Sequence, residues 1–384
     1  MNEKKALVLT YHVKDCTRVG GFHSFIDFLC QDGYDVDWIT IPMSSSWIIR
    51  HNDKENAKNF INLLRGIEFE NRGSYVRHFS VPVWLPARIA KFFNKKLGNH
   101  YWPAWKKIKK RLLNKYDVIL VEGSACQYAD DIKRDYPNAQ IIYRPSDVLS
   151  MFSNVPNPEE LEKRMILVAD ITLCVDETSL IYYKKLAGDK SRVEILRNPI
   201  TTENDIKELQ LYKPQIREKL LVTYIGVSYV DFELVEYAAR KNTSAMFVMV
   251  GPFGMKSHDN IIYTGTLSKL EYEEYLKKSC VGINPLNSKM IQSEKGITVG
   301  YTRKIINYMK YLMPIVATCS SNYLNVDGFF CVENKEKFSN KIAECLRYSS
   351  VDREKLRDGY LYAMRIFSKE ESRRKFLSIV HNGK

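Results

Sequence analysis

Tyr301-Thr302-Arg303-Lys304-Ile305-Ile306-Asn307-Tyr308-Met309-Lys310-Tyr311-Leu312-Met313-Pro314-Ile315-Val316-Ala317-Thr318 is the stretch from which the fold of this 384-residue chain is read. The spacing predicts a short helix opening with Arg303 and Lys304, then a turn, then a Pro-led strand at Pro314–Ala317. The first-turn amides of such a helix lack internal partners, and the positive end of its dipole favours an anion. Two cations at that end make a seat for a diphosphate. The alternative is that both are merely solvated, since basic residues suit the opposite helix end better.

Working outward, apolar runs bounded by turn residues alternate with helical patterns. Ala6–Thr10, Val36–Ile41, Val118–Glu122, Ile141–Arg144, Ile171–Val175 and Val193–Leu196 read as buried strands, with helices at Phe22–Gln31 and Glu159–Val168. A second series has strands at Leu221–Ile225, Met246–Gly251, Asn260–Tyr263, Val281–Asn284 and Pro314–Ala317. Its helices fall at Phe232–Lys241, Ser268–Lys278 and Arg303–Tyr311. This alternation implies βαβ units and mostly parallel sheets. Two α/β domains are expected, residues 1–199 and 200–351, separated where Asn198-Pro199 breaks regular structure. Residues 203–219 read as a polar linker with an exposed helix, and 352–384 as a terminal helix docking back toward the first domain.

Composition sets limits. An apolar fraction of 45% and a charged fraction of 27% describe a globular chain. No window reaches the length of a membrane span, and the run Ala6–Thr10 is too short for a signal-peptide core. Eight scattered cysteines without a C-x-x-C pair read as reduced core thiols, so a cytoplasmic protein is expected. The net charge of +13 is uneven: Pro82 to Tyr116 holds ten Lys or Arg and no acid, with three of the five tryptophans. Trp102, Trp105, Lys106, Lys107, Lys109 and Lys110 therefore read as a face for anionic lipid, where indoles sit at headgroup depth. A solvated basic helix with core-facing aromatics is the alternative. No nucleic-acid motif accompanies the charge.

In open α/β sheets, ligands bind beyond the carboxyl ends of the strands. After the first strand, Arg18, Gly20 and Gly21 lead into a helix and form a candidate acceptor-side loop. After Ile141–Tyr143 come Arg144, Pro145, Ser146 and Asp147. Asp147 is a candidate general base, with Arg144 able to keep it ionised. An isolated Asp there also suits a helix cap. Asp35 and Asp37 form a D-x-D pattern but alternate within a strand, so they read as its polar face. Gly226, Gly251 and Tyr263 line the same sheet edge as Lys304 in the second half, where Tyr263 is a candidate for stacking a base.

Together these residues resemble the GT-B class of nucleotide-sugar glycosyltransferases. The sharpest part is Lys304-x-x-Asn307-Tyr308 with Pro314-Ile315-Val316, similar to the family's K-x-x-E-Y…G-x-P-V-V element. The resemblance implies two facing Rossmann-like doubly wound domains with a C-terminal helix. It places Lys304 and Arg303 on the donor diphosphate and Asn307, where Glu is usual, on the ribose. Leu312 stands where Gly is usual. The E-x7-E pattern of the retaining branch is replaced by Val299 and Asn307, which argues for inversion. Tyr143-Arg144-Pro145-Ser146-Asp147 looks like the Y-R-x-S-D segment of the membrane-associated glucuronosyltransferase family of xanthan assembly. That likeness implies an inverting enzyme with Asp147 as base, a UDP-sugar donor and no metal. It also implies a lipid-linked or glycan acceptor and a place at the inner face of the cell membrane. Rival readings are a nucleotide-sugar epimerase of the same architecture and a non-catalytic membrane-docking partner in polysaccharide assembly.

Overall fold

The computed structural model describes residues 4–14, 21–44, 54–83, 102–146, 148–149, 155, 157–188, 192–214, 219–226, 230–257, 259–286, 301–318 and 324–383. The chain forms two compact units, Met1–Asn198 with Ser372–Lys384, and Pro199–Glu371.

The first unit is built on eight strands: β1 (Lys4–Thr10), β2 (Tyr34–Ser44), β3 (Ile67–Asn71), β4 (Ser74–Val83), β5 (Val118–Val121), β6 (Gln140–Tyr143), β7 (Ile171–Cys174) and β8 (Val193–Ile195). Their order in the sheet is β3-β4-β2-β1-β5-β6-β7-β8. All neighbours are parallel except the β3–β4 hairpin. The chain leaves β1 toward β2 on one side and later returns to β5 on the other, so the switch point lies between β1 and β5. Arg72 and Gly73 turn the hairpin with φ of 55° and 84°, the left-handed pair that matches strand twist. Asp35 and Asp37 lie on one face of β2, and both meet cations. Lys5 bonds Asp35 at 2.8 Å, and Arg77 grips Asp37 through two nitrogens at 2.9 and 2.6 Å. The core gathers Phe22, Phe25, Phe28 and Leu29 with Val8, Leu120 and Leu173. Phe376, Leu377, Ile379 and Val380 of the Lys369–Asn382 helix complete it.

The second unit holds β9 (Leu221–Ile225), β10 (Met246–Val250), β11 (Ile261–Gly265), β12 (Val281–Asn284), β13 (Ile315–Ala317) and β14 (Phe329–Cys331). All run parallel in the order β11-β10-β9-β12-β13-β14. The switch point here lies between β9 and β12. The Glu203–Leu211 helix is not part of a linker. Thr202 and Asp205 form a capping box at its start, and Leu209 is fully buried in this unit's core. Two helices, Ser350–Glu354 and Arg357–Ile366, precede the last one and belong to this unit. Cys30, Cys126, Cys174, Cys280 and Cys345 are buried, unbridged thiols. Among the described residues, no helix is long and apolar enough to cross a membrane.

Candidate functional site

The second switch point is shaped by one tyrosine. Tyr308, fully buried, accepts the Ile225 N–H from the end of β9 at 3.0 Å and donates to the Ile283 carbonyl of β12 at 3.2 Å. This hydroxyl takes backbone groups of both strands and fixes the Arg303–Lys310 helix between them. Gly282 permits the fit, since a Cβ there would press into the Tyr308 ring.

One turn earlier, Lys304 reaches the strand ends. Its Nζ lies 3.1 Å from the Tyr224 hydroxyl and 3.2 Å from Asn284 Oδ1, and 4.4 Å from the centre of the Tyr224 ring. No carboxylate pairs with it among the described residues. Burial alone pulls the ammonium down from 10.5 to about 8. A buried cation with only neutral partners is costly unless something negative joins it. Gly226 and Gly251 flank this point for a steric reason. A Cβ on Gly226 would strike the Tyr224 hydroxyl, and one on Gly251 would strike the Gly226 carbonyl.

The other candidates of this half have contacts within the unit. Arg303 is not a free diphosphate ligand: it holds Asp205 through two nitrogens at 2.7 and 3.0 Å and also bonds the Ile200 carbonyl. Burial works to raise Asp205, but the Arg303 bonds prevail and hold it at about 2. Asn307 is buried, with the Tyr272 hydroxyl as a neighbour. Tyr263 is half-buried at the margin of the core over β9–β11, its ring centre 6.3 Å from that of Phe232.

In the first unit, Asp147, Gly20 and Arg18 lie outside the described residues. Gly21 starts its helix against Asn198, whose Oδ1 leaves no room for a Cβ. Arg144 is fully buried, lies 5.4 Å from the Phe25 ring, and donates to the Pro145 carbonyl and, at 2.7 Å, to Asn198 Oδ1. It therefore clamps the loop after β6 to the end of the unit.

Two carboxylates here escaped the sequence reading. Glu122, at the end of β5, accepts Thr10 Oγ1 and the Tyr11 N–H at 3.1 Å and Ser124 Oγ at 3.2 Å, and takes a further bond from Ser146. Burial pushes it up to about 7 against those bonds. Glu162 accepts the hydroxyls of Tyr143, Tyr182 and Tyr183 and the Leu149 N–H at 2.9 Å, and burial raises it too. A lone Glu at a strand end carries no sequence signal. For Glu162, the three tyrosines nearby in the chain were the available hint.

The proposed lipid-facing tryptophans also need correction. Trp102 and Trp105 are buried, with indole N–H groups bonded to the Ser124 carbonyl and, at 2.7 Å, to Asp135. Aromatics turn inward on the Trp105–Lys109 helix while Lys106, Lys107 and Lys110 remain exposed. Lys109 lies 3.8 Å from the centre of the Tyr136 ring.

Solved structures with a similar fold include OtsA in its apo form (TM-score 0.65, 10% identity, 98% of this chain and 99% of that one). A UDP-forming alpha,alpha-trehalose-phosphate synthase from Burkholderia xenovorans gives a TM-score of 0.64 at 12% identity, covering 99% of each chain. Sucrose-phosphate synthase from Thermosynechococcus elongatus gives 0.63 at 12% identity, covering 99% of this chain and 98% of that one. A search of curated proteins finds no match. The two parallel sheets, each with its own switch point, are thus the GT-B fold, and with the family match over residues 8–175 they mark a glycosyltransferase. More particularly, residues 8–175 match the family model of the N-terminal domain of the glucuronosyltransferase GumK.

Proposed function

We propose that the protein is an inverting transferase that moves a sugar, glucuronate by its resemblance, from UDP to a lipid-linked or glycan acceptor. The observation that carries the donor half is Lys304: a half-buried ammonium at a switch point, with neutral partners and no acid among the described residues. UDP-2-fluoro glucose is bound in a structure of the same fold, described as trehalose-6-phosphate from E. coli (TM-score 0.65, 10% identity, 98% of each chain). In the reaction, the acceptor oxygen attacks the anomeric carbon and its proton passes to Asp147. The bond from that carbon to the β-phosphate oxygen breaks, and its electrons stay on UDP. Lys304 and the first-turn amides stabilise that charge without calling on a metal. General-base help of this kind is typically worth about 10²–10⁴-fold in rate.

The exposed Lys106, Lys107 and Lys110 support docking on anionic lipid at the inner membrane face, by charge rather than by the buried indoles. Incubation with UDP-glucuronate and a prenyl-diphosphate-linked glycan tests the reaction. A product of inverted anomeric configuration by NMR is expected, with turnover lost in Asp147→Asn while UDP affinity is kept. A retained configuration, or full turnover in Asp147→Asn, refutes it. Co-flotation with anionic vesicles, unchanged when the three lysines become serine, would refute the membrane part.

A further inference from the structure

Asn284 is the last residue of β12 and is fully buried. Its Oδ1 receives Lys304 Nζ at 3.2 Å. A lysine ammonium can only donate, so the amide oxygen must face it and the amide nitrogen must point elsewhere. Among the described residues, that Nδ2 is buried and has no acceptor. Leaving such a donor unmet costs about 1–3 kcal/mol, and an unmet group in a native site calls for an explanation. A second irregularity lies close in the chain. Thr302 precedes the Arg303–Lys310 helix as its N-cap, yet its side chain makes no capping bond, and its buried Oγ1 has no partner among the described residues. Capping threonines ordinarily satisfy one of the first-turn amides.

Among the described residues, the groups left open at this switch point are almost all donors: Nδ2 of Asn284, Nζ of Lys304 and the uncapped amides. Such a set fits a ligand with several oxygens that only accept, and the diphosphate of a nucleotide is that chemistry. A sugar ring, whose hydroxyls also donate, would leave those protons unmet here. We infer that Asn284 is a diphosphate-binding residue, its oxygen steering Lys304 while its nitrogen donates to the same phosphoryl group. This rests on the reading of Lys304 as the diphosphate seat.

Calorimetric titration of the full chain with UDP, inorganic pyrophosphate and uridine separates the roles. Asn284→Ala is expected to weaken UDP and pyrophosphate about 10-fold, one charge-assisted hydrogen bond, and to leave uridine unchanged. Asn284→Asp keeps the shape but gives Lys304 a counter-charge. It is expected to weaken UDP about 100-fold while the thermal midpoint holds or rises. A purely structural Asn284 would instead lower the midpoint in both variants and weaken uridine as much as UDP, and that result overturns the inference. So does UDP binding within about threefold of wild type in both. Lys304→Met, run alongside, tells the failures apart. If it leaves UDP binding intact, the seat itself is refuted. If it weakens UDP while the Asn284 variants do not, only the role of Asn284 falls.

Discussion

The two sheets present the same topological feature with opposite charge. At the β1–β5 switch point sits the buried carboxyl of Glu122, and at the β9–β12 switch point the half-buried ammonium of Lys304. Burial pushes both toward neutrality, one up to about 7 and the other down to about 8. Their surroundings differ in kind. Glu122 is ringed by donors from Thr10, Tyr11, Ser124 and Ser146, a complete shell that ties three loops together. Lys304 has a hydroxyl, a ring face and an amide whose other end is unmet among the described residues. The lesson is that burial of charge alone does not mark a binding site. A satisfied ion is architecture; one whose neighbours still have capacity is a candidate for binding.

The largest effect that would break this contrast concerns Glu122. Its folded value is raised above the ordinary 4.5, so the folded protein holds the proton more tightly. Stability from that proton is present below pH 4.5 and lost as pH rises through about 7, by roughly 3 kcal/mol. Glu122→Gln should abolish that slope in denaturant titrations across the same window; an unaltered slope would show that Glu122 is not the group responsible.

Next in size is Lys304→Met, expected to cut UDP affinity by about 10- to 100-fold while raising the thermal midpoint, because a buried ion is removed. Lost affinity with a lowered midpoint would instead make Lys304 architectural, like Glu122. A finer test uses pH. Burial lowers Lys304, and a diphosphate beside it would raise it again, so binding takes up a proton above pH 8. UDP affinity should be level from pH 7 to 8 and then fall toward tenfold per unit. Lys304→Arg should stay level throughout, and a fall of the same size there would exclude Lys304 as the titrating group.

The smallest expected change is at the neighbouring residue. Arg303 is already satisfied by Asp205, so Arg303→Gln should alter UDP affinity by no more than about threefold. A loss matching that of Lys304→Met would return Arg303 to the diphosphate.

Sequence carried the parallel strands well, because buried strands of an α/β sheet are short apolar runs between turns. It missed the β3–β4 hairpin, whose Glu68, Glu70, Arg72 and Arg77 break the apolar pattern and whose Arg-Gly turn is not a usual hairpin signal. Lys304 was legible because a motif carries it. The commitment of Arg303 was not, since Asp205 lies 98 residues away and nothing local foretells the pair. Leu312 shows the limit of a consensus. It adopts the left-handed φ of 48° that Gly would take freely, and its fully buried side chain in the second core compensates for that strain.

The Lys369–Asn382 helix has a consequence for how the molecule is made. His381 bonds Asp32, 349 residues earlier in the chain, and the ring centres of Phe376 and Phe25 lie 5.1 Å apart. The half that leaves the ribosome first therefore cannot close its core until the other half has been synthesised. The second unit, a single uninterrupted segment, can fold while its older companion still awaits its last helix, which exposes the nascent first unit to chaperones and proteases during translation.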